Sequence, residues 1–136
     1  MSKYLIVNAD DFGYSYSINK GIIEAHTNGI VTSTSVMVYA TAAHKAKELT
    51  KFPDLSIGLH FMLNELVDIA AELERQVDKF ASIVGKSPDH IDTHKRSTTD
   101  EGIKEVLEDY AKNHNVPIRN FNAKHIGSFG IHSGDC

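Results

Sequence analysis

Short runs of apolar and β-branched residues alternate along this chain with longer segments whose apolar residues recur at helical spacing. This alternation is typical of an α/β fold, in which crossover helices join the strands of a parallel sheet. With 136 residues, we expect one domain over residues 1–136. The predicted strands cover residues 3–9, 31–39, 56–60 and 90–93, with a fifth starting at 116–119, and the predicted helices cover 15–28, 41–50, 65–84 and 99–113.

The first apolar run ends in two adjacent carboxylates, Asp10 and Asp11, and a Phe-Gly pair follows them. In α/β proteins, ligands bind at the C-terminal ends of the strands. Adjacent carboxylates repel each other unless a cation or a shared proton compensates the charge. A shared site for both side chains also requires a bulge, because neighbouring strand residues point to opposite faces. The doublet fits either a solvated turn or the centre of a metal site.

Two later predicted strands supply histidine at their ends. His60 closes the third predicted strand, and His90, Asp92 and His94 follow at a spacing of two, which places them on one face of a strand. Imidazole and carboxylate together suit zinc, iron, manganese or a similar divalent ion. Two histidines and one carboxylate, with positions open to water, are typical of a hydrolytic metal site.

Four segments, in order, resemble the YdjC-like carbohydrate deacetylases, whose best-described activity is that of chitooligosaccharide deacetylase. They are residues 6–13 (IVNADDFG), 28–34 (NGIVTST), 57–61 (IGLHF) and 90–94 (HIDTH). The resemblance implies a (β/α)-barrel-like parallel sheet with crossover helices. Because members of that family are longer than this chain, the barrel would be incomplete or would have loops missing.

The resemblance also implies roles for single residues. Asp11, His60 and His94 would bind a divalent metal ion, magnesium or zinc, and Asp10 would be the general base. A weaker match near the C-terminus implies that His132 is the general acid that protonates the leaving amine. The implied reaction removes N-acetyl groups from short amino-sugar oligosaccharides of the chitooligosaccharide type.

Residues close to the predicted metal ligands are expected to have supporting roles. Asp92 is predicted to orient a ligand imidazole, as carboxylates behind metal ligands do. His90 is predicted to be a structural residue at the start of its strand. Tyr14 and Tyr16 follow the first predicted strand, where their rings could line a substrate groove.

The chain departs from the family pattern at two places. A long substrate-side loop follows the third strand in the family, whereas here a helical pattern begins at Glu65. Residues 95–99 (KRSTT) replace a His-rich run. Either these loops are short in this protein or the polypeptide contains further loop residues. The departures leave metal binding unaffected and put the choice of substrate in question.

Two other classes of protein remain as alternatives. A strand ending in Asp-Asp also begins flavodoxin-like phosphoacceptor receiver modules, which need an acceptor Asp after strand 3 and a Lys after strand 5. This chain has His60 and Arg119 at those places. The other alternative is a metal- or sugar-binding relative in which catalysis is weakened.

Charge and composition narrow the expected partners. The net charge of −4 argues against nucleic acid or an anionic membrane as a partner. No apolar run is long enough for a bilayer, and no signal segment follows Met1. The single cysteine, Cys136, suits a reducing compartment. We therefore expect a cytoplasmic enzyme that binds a small N-acetylated oligosaccharide but no nucleic acid and no membrane, with homodimer formation left open.

Overall fold

The computed structural model describes residues 4–63, 68–94 and 101–119. Within these ranges, four parallel strands form one sheet, and helices connect them, so the predicted α/β class is confirmed. The strands are β1 (Asn8–Phe12), β2 (Ser33–Val36), β3 (Ser56–Phe61) and β4 (Ile91–Thr93). The helices are α1 (Tyr16–Thr27), a 3-10 helix (Ala43–Lys51), α2 (Ile69–Val84) and α3 (Glu101–His114).

The strands lie side by side in the order β1-β2-β3-β4, so each one pairs with its neighbour in the sequence. Sequential parallel strands with intervening helices are the arrangement of (β/α) barrels. A flavodoxin-like sheet has the order 2-1-3-4-5, in which β1 lies between β2 and β3. The observed order therefore excludes the receiver alternative. An isolated parallel bridge between Ile91 and Ile118 continues the same order beyond β4.

The two faces of the sheet differ in chemical character. In β3, Ile57, Leu59 and Phe61 point into one apolar core, to which all four helices contribute side chains. Gly58 and His60 alternate with them and therefore lie on the opposite face. The helices thus cover one face of the sheet, and the other face carries the polar side chains.

The position predicted for the first strand was wrong. It was expected over residues 3–9, but pairing with β2 begins at Asn8 and runs through the carboxylate doublet to Phe12, which is fully buried. The apolar run that suggested a buried strand is exposed and lies outside every strand of the described ranges. Its side chains are Tyr4, Leu5 and Ile6, which are 92%, 67% and 73% exposed.

The second predicted helix, over 41–50, is instead the 3-10 helix. Its buried residues Ala43, Ala46 and Leu49 recur every three positions. A helix with three residues per turn places such residues on one face, so this spacing matches the observed form better than an α-helix.

The other differences in secondary structure are small. β2 ends at Val36 rather than at residue 39, because a turn follows in which the Ala40 N–H donates to the Met37 carbonyl. The fifth predicted strand is represented by the single bridge at Ile118. The predicted starts of the last two helices, at residues 65 and 99, lie outside the described residues.

The turn that follows β1 is anchored by Asn19, a buried residue of α1. Asn19 Oδ1 accepts a hydrogen bond from the Gly13 N–H at 2.6 Å, and its Nδ2 donates to the Ala42 carbonyl at 3.1 Å. Gly13 has a φ of 102°, and a Cβ there would lie 3.0 Å from the Ala43 Cα. The exit of β1 is therefore fixed against both α1 and the start of the 3-10 helix.

We predict that Asn19→Ala destabilises the protein by about 2–4 kcal/mol, because it leaves a buried N–H and a buried carbonyl without partners. Urea unfolding followed by circular dichroism measures this loss. Asn113→Ala, at an exposed position in α3, is the matched control and should change stability little. Equal stability of the two variants would show that Asn19 does not anchor the turn.

Candidate metal centre

β1 contains a bulge at the carboxylate doublet. The pairing register with β2 shifts between Ala9 and Phe12, and Asp11 has a φ of 67°, in the left-handed region that few non-glycine residues adopt. The bulge brings both carboxylates to the polar face, where Asp10 contacts Asn8 and Asp11 contacts His60. The sequence required such a bulge for a shared site, and the structure contains it.

Three side chains from three strand ends meet beside this bulge. Asp11 Oδ1 lies 3.1 Å from His60 Nε2 and 3.3 Å from His94 Nδ1, and the two imidazole nitrogens are 3.3 Å apart. Asp11 belongs to β1, His60 to β3, and His94 follows β4. The structure therefore brings together the three residues that the sequence singled out as metal ligands, and we call them the Asp-His-His triad.

The spacing of the triad suits a single divalent ion. Ligand atoms at about 2.0–2.2 Å from a zinc-like ion are about 3–3.5 Å from one another. Asp11 Oδ1 is also buried, and its contacts within the described residues are with the two imidazoles, without a well-formed hydrogen bond. A buried carboxylate oxygen of this kind is costly unless its charge is compensated, and a bound cation would compensate it. The donor set and this buried oxygen both fit a metal ion.

Asp92 fixes the orientation of the His60 ring. His60 Nδ1 donates to Asp92 Oδ1 at 2.5 Å, and both side chains are almost completely buried. With its proton on Nδ1, a neutral His60 ring directs the lone pair of Nε2 toward the triad. This is the role expected of a carboxylate behind a metal-ligating imidazole.

The protonation of His60 depends on its acidic neighbours. Burial alone would lower the pKa of His60, but contacts with Asp11 and Asp92 outweigh it and raise the pKa to about 9. The ring is therefore protonated at neutral pH when no metal ion is bound. Because a ligating imidazole must be neutral, metal binding has to displace this proton, and metal affinity should fall as the pH is lowered.

Arg119 is a site residue that no sequence motif identified. Its Nη1 donates to Asp10 Oδ2 at 3.0 Å, and its Nη2 also pairs with Asp10 and with the buried Asp92. In the sequence, Arg119 is one basic residue at the end of the segment 116–119 that suggests a fifth strand. Only the parallel pairing of residue 118 with β4 brings it to the carboxylates.

Arg119 controls the charge of Asp10. Partial burial would raise the pKa of Asp10, but the hydrogen bond and the charge of Arg119 outweigh this effect and lower the pKa below its ordinary value. Asp10 is therefore ionised at neutral pH. It is available as a proton acceptor next to the triad, on the same bulge as Asp11.

The remaining predicted site residues do not belong to the triad. Tyr14 is 60% exposed on the turn after β1. Tyr16 packs edge-to-face against His44 and lines a groove between α1 and the 3-10 helix, and the residues that line this groove do not include the triad. The predicted general acid, His132, lies outside the described residues.

The fold and the site together define an α/β protein with the donor set of a hydrolytic metal centre. The sequence model of the family described as YdjC-like protein matches residues 4–68 and 64–131, and the chain belongs to this family. The predicted family is thereby confirmed.

Named relatives support this assignment. The chain is 38% identical to a carbohydrate deacetylase of Geobacillus stearothermophilus and 36% identical to a chitooligosaccharide deacetylase of Serratia marcescens. Each match covers 88% of this chain and 60% of the relative. The fold is also similar to a crystal structure from Enterococcus faecalis V583, of a protein with a proposed role in cellobiose-phosphate cleavage. The TM-score is 0.75 and the sequence identity is 28%. The match covers 89% of this chain and 59% of that one.

The chain thus spans about three fifths of the length of these relatives. The family match divides into two segments that meet at residues 64–68, where the sequence predicted a shortened or missing loop. No helix in the described ranges is long and apolar enough to cross a membrane.

We predict that Asp11→Ala, His60→Ala and His94→Ala each weaken the binding of a divalent metal ion by about tenfold or more, because each removes one of three protein ligands. Titration calorimetry with zinc at pH 7.5 measures the affinity. His114→Ala, which changes an exposed histidine of α3, is the control and should bind like the wild type. Wild-type affinity in any of the three variants would remove that residue from the site.

Proposed function

We propose that this protein is a metal-dependent hydrolase that removes N-acetyl groups from short amino-sugar oligosaccharides. The observation that carries the proposal is the meeting of the buried Asp11 oxygen with two imidazole nitrogens, both within 3.3 Å of it, at the end of the sheet where ligands bind. The names of the deacetylase relatives support the substrate class.

The donor set favours zinc, or another transition metal, over magnesium. Two of the three donors are imidazole nitrogens, which bind zinc well, whereas magnesium prefers oxygen ligands and bound water. When bound in the triad, such an ion would lower the pKa of a coordinated water and polarise the acetyl carbonyl.

In this mechanism, Asp10 accepts a proton from the attacking water. Asp10 lies next to the triad without belonging to it, because one of its carboxylate oxygens is within 4.8 Å of a ring nitrogen of His60. Arg119 keeps it ionised, and Asn8 and Arg119 hold its two oxygens. A general base held in this way needs little reorganisation when the water attacks.

The amine that leaves after amide cleavage must take up a proton. We assign this step to His132, on the basis of the weak C-terminal resemblance. Selectivity for one sugar would come from the loops around the mouth of the site. Tyr14 is exposed on the turn after β1, where its N–H donates to the Asp11 carbonyl, and its ring is suited to stacking on a sugar.

We predict that Asp10→Asn retains zinc binding but loses activity by about 10²–10⁴-fold, the usual contribution of a general base. The assay measures acetate released from di- and trimers of N-acetylglucosamine by the zinc-loaded protein. Asp54→Asn, at an exposed turn, is the charge-matched control. Activity of the Asp10 variant within a few fold of the wild type would exclude Asp10 as the base.

The same assay tests the proposed function as a whole. A folded, zinc-loaded wild type that releases no acetate from any N-acetylated sugar would contradict it. Cellobiose phosphate should be left intact, because it carries no amide bond. Its cleavage without acetate release from amino sugars would instead favour the activity proposed for the Enterococcus faecalis neighbour.

We predict that Arg119→Gln raises the pKa of Asp10, because the charge that stabilises its ionised form is lost. Asp10 must be ionised to accept a proton. The acid limb of the kcat/KM profile should therefore move to higher pH, so that activity is lost earlier as the pH falls. Arg75→Gln, an exposed arginine of α2, should leave the limb unchanged. An unshifted limb in the Arg119 variant would show that Arg119 does not set the charge of the base.

A further inference from the structure

A second row of polar side chains lies below the metal site on the same face of the sheet. Asn8, Ser33 and Ser56 are register partners across β1, β2 and β3. Asp10 and Ser35 lie two positions further along β1 and β2, beside the metal site. The mechanism proposed above assigns no role to Ser33, Ser56 or His90.

His90 connects the members of this row. Its Nδ1 lies 3.2 Å from Ser56 Oγ, and its Nε2 lies 3.4 Å from Ser33 Oγ. The ring occupies the space over Gly58, where a Cβ would come within 2.3 Å of His90 Nε2. A glycine at this position of β3 therefore allows His90 to reach Ser33 from the start of β4.

The row continues from Ser33 to the proposed base. Ser33 Oγ donates to Asn8 Oδ1 at 2.5 Å, and Asn8 Nδ2 donates to Asp10 Oδ1 at 2.7 Å. Asn8 Nδ2 also lies 3.2 Å from Ser35 Oγ and 3.4 Å from Asp92 Oδ2. One amide group thus contacts both carboxylates that pair with Arg119.

When every contact of this row is a hydrogen bond, the chemistry of the groups allows only one direction for the chain. Asp10 and Asp92, ion-paired with Arg119, are acceptors only, so the Asn8 amide nitrogen must face them. The Asn8 oxygen then accepts the single hydroxyl proton of Ser33. Ser33 can then only accept from His90, so their 3.4 Å contact is a hydrogen bond when His90 carries its proton on Nε2.

Nδ1, the other ring nitrogen of His90, accepts the hydrogen bond with which the chain begins. A neutral His90 with its proton on Nε2 has a lone pair on Nδ1, and this nitrogen accepts from the Ser56 hydroxyl. Burial lowers the pKa of His90, in agreement with a neutral ring. With this tautomer of His90, every group from Ser56 to Asp10 donates to the next, and bonds aligned in this way strengthen one another.

We propose that Ser56, His90, Ser33 and Asn8 form a directional hydrogen-bond chain that holds the Asp10 carboxylate in the orientation in which it accepts a proton. His90 and Ser33 are then positioning residues, since neither touches the reacting atoms. The inference rests on the proposed function, because the hydrogen-bond chain has this positioning role only if Asp10 is the general base.

The first test needs no substrate and no metal ion. Nitrogen-15 NMR of the folded protein at pH 7 reports which ring nitrogen of His90 carries a proton, and a His90→Gln spectrum assigns the signals. We expect a neutral ring protonated on Nε2. A ring protonated on Nδ1, or on both nitrogens, would overturn the directional chain.

The second test is kinetic. Ser33→Ala removes one oxygen from the chain and should lower kcat for acetate release by about tenfold, a fraction of what a general base contributes. The KM and the zinc affinity should not change, because the Ser33 hydroxyl contacts Asn8 and His90, which are not triad residues. Ser82→Ala, at an exposed position in α2, is the matched control. Wild-type kcat in the Ser33 variant would overturn the positioning role.

A pair of substitutions at His90 separates positioning from simple packing. In His90→Gln, the amide nitrogen can occupy the place of Nε2 and donate to Ser33, so kcat should stay within about threefold of the wild type. His90→Leu fills the space without a donor and should lose kcat as Ser33→Ala does. Equal kcat losses in both, or none in either, would contradict the proposal.

The outcomes also distinguish this inference from the proposed function. An active wild type with an unaffected Ser33→Ala variant leaves the deacetylase proposal standing and removes the positioning role. An inactive zinc-loaded wild type removes both, whatever tautomer His90 adopts.

Discussion

The site depends on one backbone feature, the bulge that turns Asp10 and Asp11 to the same face of β1. A regular strand would send one of two adjacent carboxylates into the apolar core on the helix side. The left-handed conformation of Asp11 and the anchored Gly13 turn prevent this and keep both charges on the polar face. Backbone conformations of this kind are costly and persist where the surrounding structure holds them. Here Asn19 provides that support from α1.

Two adjacent carboxylates on one face repel each other, and other residues of the site compensate their charge. Asp92 adds a third negative charge within the same cluster. Arg119 compensates Asp10 and Asp92, whereas His60 and His94 face Asp11. The division is chemically useful, because an arginine remains charged while an imidazole can lose its proton. The Asp11 side of the cluster can therefore exchange a proton for a metal ion, and the Asp10 side keeps a fixed countercharge.

The sequence predicted those parts of the structure that depend on local pattern. Alternating apolar runs predicted the parallel α/β class, and the Asp-Asp, Gly-Leu-His and Asp-x-His segments identified the residues that meet in the triad. The position of β1 was wrong because apolar content suggested residues 3–9, while strand pairing selects the polar stretch from Asn8 onward. Arg119 could not be predicted, because its partners lie 109 and 27 positions away in the chain, and only the register of the sheet brings them together.

The sequential strand order bears on how the site assembles during synthesis. Each strand pairs with the strand made just before it, so the sheet can grow at one edge as the chain leaves the ribosome. The triad is complete once His94 has emerged, whereas Arg119 arrives 25 residues later. During that interval the nascent chain presents three carboxylates and two imidazoles without their permanent countercharge. Before Arg119 docks, the carboxylate cluster therefore has a more negative local charge than in the folded protein, where the guanidinium compensates Asp10 and Asp92.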